Sequence, residues 1–380
     1  MDTIRTYASN NHDVEVAIRD ITGQLHPTPE LVLFFSSTVY SFEDVSKLLN
    51  DRYPSAQVVG LTTTGEIGPK GFQEFGLSAI SFSQDFGHVR AILMDDIVKY
   101  PVFARQQLKT AAQEVGIQTS SKHPEKEGIG LVFPTGLIGA EEKMLSIVNS
   151  IFDEDGFPFF GGTAGDDAKF EATYVSVNNH ISSVGGVVIF MKPALEFSVI
   201  KENIFTSTGN KMKITKVDTE SRIVYEMDGQ RAATVYAKKL GVREADLPNY
   251  FMSNPIGRRF NDEIFIASPF QIMSDGAIQF YCQVFLDSIV EILEAMDPVK
   301  TLEHTLQQLN SQFSKLDGVL ACNCILRKLQ FQNQQLFPAL NRQLEQLPNL
   351  GGFCSYGEQI NKSLINQTLV LLGFGEKGGR

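Results

Sequence analysis

Cysteine is scarce in this chain: four in 380 residues, at positions 282, 322, 324 and 354, with none in the N-terminal half. That distribution is not a disulfide framework. No second pair or histidine follows Cys322 and Cys324 at the interval a zinc site uses. Basic charge is short as well. Lys and Arg number 33 against 44 Asp and Glu, a formal net charge of −11, and no basic stripe offsets it locally. Nucleic acid is therefore not an expected partner. No apolar run approaches the roughly 20 residues of a membrane helix, so no membrane insertion is expected. The first 20 residues lack an apolar stretch flanked by basic ones, so no leader is expected and the chain reads as cytoplasmic. Signatures of catalysis and nucleotide binding are missing too. There is no Gly-x-Ser-x-Gly elbow, no P-loop ending in Lys-Ser or Lys-Thr, and no dinucleotide fingerprint.

What the chain has is repetition. Three times, a buried-strand run is followed by a helical stretch and a second run ending in small residues and an acid. The first copy has runs at 31–37 and 58–66, the second at 129–136 and 159–167, the third at 319–324 and 350–358. Within each copy the runs start about 27 to 31 residues apart, the span of a βαβ crossover. Each copy then closes with another apolar run, at 77–80, 186–190 and 368–372. The expected fold is α/β, with recurrent βαβ-plus-strand units forming mixed sheets flanked by helices.

At 380 residues the chain exceeds what one hydrophobic core usually serves, so two domains are expected, 1–195 and 196–380, with 196–222 as bridging strands. Helices are predicted near 12–24, from Ser41 with acids in its first turn, at 101–116, at 141–152, at 232–240 before Gly241, and from Pro298. Asn178-Asn179 marks a hairpin, and the Gly-rich tail from 375 reads as disordered.

Open α/β sheets hold ligands at the C-terminal edges of parallel strands. Arg327, Tyr356 and Glu358 all follow strands of the third copy and form the leading candidate set. Arg327 offers a fork for a carboxylate and Glu358 offers acceptors, although the two could simply pair with each other. Cys322 and Cys324 share a strand face, and Cys354 on the neighbouring strand could bring a third thiol to them. The loops holding Gly65 and Glu66, and Gly162 through Asp166, could cradle an anion or merely let strands turn sharply. A hydrolase or transferase using Cys354 or Glu358 is the enzymatic alternative.

The chain resembles the FIST family of paired N- and C-terminal sensory domains. Val32-Leu33-Phe34-Phe35, Gly60-Leu61-Thr62-Thr63-Thr64-Gly65-Glu66-Ile67 and Gly161-Gly162-Thr163-Ala164-Gly165-Asp166 carry the likeness in the first half. Asn323-Cys324-Ile325-Leu326-Arg327, Gly352-Phe353-Cys354-Ser355-Tyr356-Gly357-Glu358-Gln359 and Asn366-Gln367-Thr368 carry it in the second. The resemblance implies a non-catalytic small-ligand sensor feeding a signalling enzyme such as a histidine kinase or a cyclic-dinucleotide enzyme. The Cys-Ile-Leu-Arg and Tyr-Gly-Glu-Gln segments look most like the NosP-type subgroup, which implies haem b and nitric oxide sensing. Histidines of that subgroup fall where this chain has Asn254 and Leu364 or Ile365. His180, bordering an apolar strand, is the candidate axial ligand. An amino-acid-like metabolite is the alternative ligand.

Overall fold

The computed structural model describes residues 2–97, 101–260 and 263–378. Three units of one plan account for most of them. Unit one runs β1 (Ile4–Ser9), α1 (Val14–Thr22), β2 (Pro29–Ser36), α2 (Phe42–Arg52), β3 (Gln57–Thr62), the hairpin β4–β5 (Glu66–Gly68, Gly71–Gln73) and β6 (Leu77–Ser83). Unit two repeats this as β7 (Gly87–Met94), α3 (Pro101–Glu114), β8 (Ile129–Pro134), α4 (Glu141–Asn149), β9 (Phe159–Gly162), β10–β11 (Val175–Val177, His180–Ser182) and β12 (Gly186–Pro193). Unit three opens with β13 (Glu196–Asn203) and is then interrupted. The interruption comprises β14 (Phe205–Asp218), β15 (Ile223–Met227), β16 (Gln230–Arg231), α5 (Ala232–Leu240), β17 (Ile256–Phe260), β18 (Glu263–Ala267), β19 (Pro269–Ile272), β20 (Ile278–Phe280) and β21 (Ile289–Ala295). Unit three resumes with α6 (Pro298–Ser311), β22 (Phe313–Cys324), α7 (Ile325–Asn333), α8 (Phe337–Leu344), β23 (Leu350–Ser355), β24–β25 (Glu358–Ile360, Ser363–Ile365) and β26 (Thr368–Lys377).

The three parallel pairs expected from the repeated runs are present: β2 with β3, β8 with β9, β22 with β23. The closing strands β6, β12 and β26 run antiparallel beside the first strand of each pair. Local chemistry sets the helix starts. Asp13, Ser41 and Asp297 each accept a backbone N–H from the first turn of α1, α2 and α6, and Gly241 ends α5 in the left-handed conformation at φ 73°. Asn178 and Asn179 take positive φ of 47° and 66° at the β10–β11 turn, as expected. The tail differs from its reading. Through Lys377 it is strand, because β26 pairs with β22 as far as Phe313, while Gly379 and Arg380 lie outside the described residues.

The hairpins do not stay with their own units. The sheet orders are β1-β6-β2-β3-β10-β11, β7-β12-β8-β9-β24-β25 and β13-β26-β22-β23-β4-β5. Each unit therefore lends its hairpin to the edge of another unit's sheet, in a closed cycle of three. One face of every sheet packs into a shared core, where Phe35 stacks on Phe353 at 5.1 Å and Phe133 meets Phe353 edge-on at 6.0 Å. The other face of each sheet is covered by helices: α1 and α2 in unit one, α3 and α4 in unit two, and α6 to α8 in unit three. The interruption of unit three builds its own sheet, β18-β17-β21-β14-β15-β20-β19, with α5 packed against it.

Candidate ligand-binding cavity

The cyclic plan creates three equivalent grooves, each between the crossover helix of one unit and the hairpin lent by another. They are not alike. Beside α7 and α8, the visiting hairpin fills its own groove: Phe72 stacks on Phe337 at 5.3 Å, and Asn341 bonds both the N–H and the carbonyl of Phe72. Beside α2, the groove lined by Ser41, Phe42, Tyr174, Asn179 and Ile181 is open. Beside α4, the sheet inserted into unit three lies over the groove and makes a deeper cleft of about 690 Å³ whose mouth stays open. That volume suits a small organic ligand.

One helical face of α4 (Glu142, Leu145, Ser146, Asn149) forms the floor, and the β24–β25 tip, Lys362 to Leu364, forms one wall. The roof comes from Arg258 on β17, Phe265, Ile266 and Ala267 on β18, and the segment that runs from Cys282 to Val290. Two anchors hold it in place. Arg222, just before β15, reaches α4: its Nη2 donates to Glu141 Oε2 at 2.7 Å and Glu142 Oε2 at 2.5 Å, and its Nη1 to the Tyr281 carbonyl at 2.9 Å. On the other side, Ser268 donates to Gln367 Oε1 at 2.8 Å, and Gln367 donates to the Met252 carbonyl at 2.8 Å.

The charges are mostly committed. Glu142 accepts from Arg222 on one oxygen and from the Gln283 N–H, at 3.0 Å, on the other. Lys362 pairs with Asp155 at the rim. Arg258 differs: it is exposed to solvent, its guanidinium lies 5.4 Å over the Phe285 ring, and among the described residues no carboxylate forms an ion pair with it. Burial, followed by the Glu142 charge, pushes the Cys282 thiol up to about 12. No histidine lines the cavity.

The residues singled out from sequence lie elsewhere. Tyr356 and Asp166 are brought together, the phenol donating to the Asp166 carboxylate, which also accepts the N–H groups of Phe170, Glu171 and Ala172. Tyr356 further stacks on Phe170, a residue 56% exposed, so the two rings sit at the surface above the buried Asp166. Arg327 pairs not with Glu358 but with Glu202 of β13, and its Nε donates to Asn323 at 3.0 Å, all within the interior. Glu66 and Glu358 are fully buried and hydrogen-bonded within their own units. Gly65 accepts the Cys354 N–H through its carbonyl at 2.7 Å. Gly162 marks a close approach, since a Cβ there would stand 2.0 Å from Cys322 Sγ. The three thiols do not converge. Cys354 pairs in register with Asn323, so its side chain leaves the face opposite to that of Cys322 and Cys324. His180 is exposed on β11.

The cavity residues gave little sequence signal because they come from four separate stretches. The segment Val284-Phe285-Leu286, apolar yet partly exposed, is the one local hint.

Residues 30–230 match the FIST N domain and residues 232–361 match the FIST C domain. The chain belongs to the FIST family, whose domains are small-ligand sensory domains of signalling proteins. The two matched segments meet inside the sheet inserted into unit three, so both contribute to the roofed cavity. No curated protein matches the chain. Among solved structures, one described as "Structure of PurLQS from Thermotoga maritima" aligns over 98% of this chain and 72% of that one, at 10% identity and a TM-score of 0.19. A likeness that low carries no argument.

Proposed function

We propose that this FIST protein is a non-catalytic cytoplasmic sensor whose ligand occupies the roofed cavity over α4. One observation carries the reading: of three equivalent grooves, one is filled by protein, one is a bare groove, and the third is partly covered by a sheet that the plan of the units does not require. A cleft walled by floor and cover buries more of a small ligand than a bare groove does. Occupancy would be felt by the inserted sheet, whose anchors flank the cavity, and passed to a signalling enzyme such as a histidine kinase or a cyclic-dinucleotide enzyme.

Catalysis by Cys354 or Glu358 fits less well. Both are buried, burial pushes the Cys354 thiol up to about 12, and both oxygens of Glu358 are already bonded. A thiol in that state is a poor nucleophile.

Haem needs an axial donor. The lining does not fit it: Leu364, which with Ile365 stands where the resemblance implies histidine, offers no donor, Cys282 is held as a thiol, and His180 faces solvent on the hairpin that unit two lends to the sheet of unit one. A ligand that makes no metal–protein bond fits the cavity better.

The test is thermal unfolding of the full chain with fractionated small molecules from a cell extract. Ligand that binds only the folded state raises Tm. Some fraction should raise Tm for the wild type but not for Ser146→Trp or Ala267→Phe, which fill the cavity from floor and roof. If no fraction separates wild type from these variants, the reading fails. A saturable, sharpened Soret band on haem addition that shifts with nitric oxide would overturn its metal-free form.

A further inference from the structure

We infer that the cavity takes a flat aromatic carboxylate, of the aryl-acetate or indolyl-acetate kind, rather than a zwitterionic amino acid or a cation. The inference rests on the cavity being the ligand site, and it follows from which polar groups in the lining remain free.

The walls set the body of the ligand. Leu145, Phe152, Phe265, Val284, Phe285 and Leu364 present aliphatic and aromatic surface from both the floor and the roof. Ser146, Asn149, Gln283 and Ser288 are interleaved with them, so the aromatic faces suit a ring system and the polar groups can hold its substituents.

The charges set its head group. Arg258 is the lining cation without a carboxylate partner among the described residues, and it is held over the Phe285 ring. A guanidinium fork in that state matches a carboxylate. An ammonium group has no corresponding place. Glu142 is already paired with Arg222 on one oxygen and bonded to the Gln283 N–H on the other, and Asp155, 87% exposed and screened by solvent, pairs with Lys362 at the rim. An amino acid would satisfy Arg258 with its carboxylate and leave its ammonium beside no free anion, next to that same Arg258. A desamino acid carries no such penalty.

The experiment is calorimetric titration of the full chain with indole-3-acetate and 1-naphthoate. Indole-3-acetamide, 1-naphthamide, L-tryptophan and tryptamine serve as counterparts. The acids should bind about twofold to fivefold more tightly than the amides, the range expected for an ion pair with a solvent-exposed arginine. Arg258→Gln should remove that difference, while Ser146→Trp and Ala267→Phe should abolish binding of acids and amides alike. Equal affinity for acid and amide, or an Arg258→Gln chain that still prefers acids, overturns the ligand class. So does the failure of both acids to bind. If the cavity-filling variants still block the bound compounds, the site stands and only the class falls. Acid binding that neither cavity-filling variant weakens overturns the site as well.

Discussion

Glu66 and Glu358 are equivalent residues of units one and three, and the fold satisfies them in the same way. Each carboxylate accepts from a hydroxyl three residues earlier, Thr63 and Ser355, both at 2.6 Å. Each also accepts a backbone N–H ten residues later, that of Gly76 at 2.9 Å and that of Thr368 at 3.3 Å. Burial outweighs these bonds and pushes Glu66 up to about 8 and Glu358 up to about 7, from an ordinary 4.5. The folded chain therefore holds protons that the unfolded chain has released. This contribution is fully present below the unfolded value and is lost as pH rises through the folded values. Wild-type stability should fall as pH is raised from about 5 to about 8, by at most about 1.4 kcal/mol per pH unit per group. Glu66→Gln, which keeps both bonds by turning its amide toward Thr63, should flatten that slope in urea unfolding. Parallel slopes for the two proteins would refute the assignment.

Gly162 and Cys322 meet where the sheets of units two and three face each other. A Cβ on Gly162 would lie 2.0 Å from Cys322 Sγ and 2.7 Å from the Phe353 ring. Gly162→Ala should cost about 1 to 3 kcal/mol through overpacking. Cys322→Ala removes the nearest atom, so the double variant should be more stable than the two single effects predict when added. Additive losses would mean that the strain lies in the backbone instead.

Much of the architecture was legible in the sequence, and what was hidden has a common cause. The parallel pairs show because runs such as Leu31 to Phe35 are buried on both faces and so read as unbroken apolar strands. The exchange of hairpins does not show. Strands of three residues, such as Glu66–Gly68, carry no pattern that names a partner, and the partner of β4, β23, belongs to another unit's sheet. Side-chain convergence fails for the same reason. The neighbouring strand could bring Cys354 to Cys322 and Cys324 or leave all three as core packing; the register sets it beside Asn323, and all three are buried. Arg327 was expected to face Glu358, but Glu202 arrives from β13, on the far side of the inserted sheet in sequence. The cavity is the extreme case, since Ser146, Arg258, Cys282 and Leu364 become neighbours only once that sheet lies over α4.

Arg327 and Glu202 form an ion pair in the interior, with side chains 2% and 0% exposed. Removing one partner strands the other charge, so Arg327→Met should destabilise by about 3 to 5 kcal/mol. Adding Glu202→Leu should recover most of that loss, because two apolar groups carry no desolvation penalty. Denaturant midpoints of the single and double variants decide this, and a double variant no better than Arg327→Met alone would count against it.

Arg222 is the sharpest probe of how the inserted sheet is held. It bridges Glu141 and Glu142 on the first turn of α4 to the Tyr281 carbonyl, at the start of the segment that roofs the cavity. Without it, burial would keep Glu141 above the ordinary carboxylate range with no cation to oppose that, and Glu142 would lose one of its two partners. Arg222→Gln should therefore loosen the roof at this edge, while the Gln367 anchor keeps the opposite edge in place. The expected signature is faster amide exchange in residues 281–288 and in the first turn of α4, with exchange in β2, β8 and β22 unchanged, since those strands belong to the shared core. Uniformly faster exchange would show that Arg222 supports the whole fold. Unchanged exchange at 281–288 would show that packing alone holds the roof. The local pattern would mark the inserted sheet as the element that moves when the cavity fills.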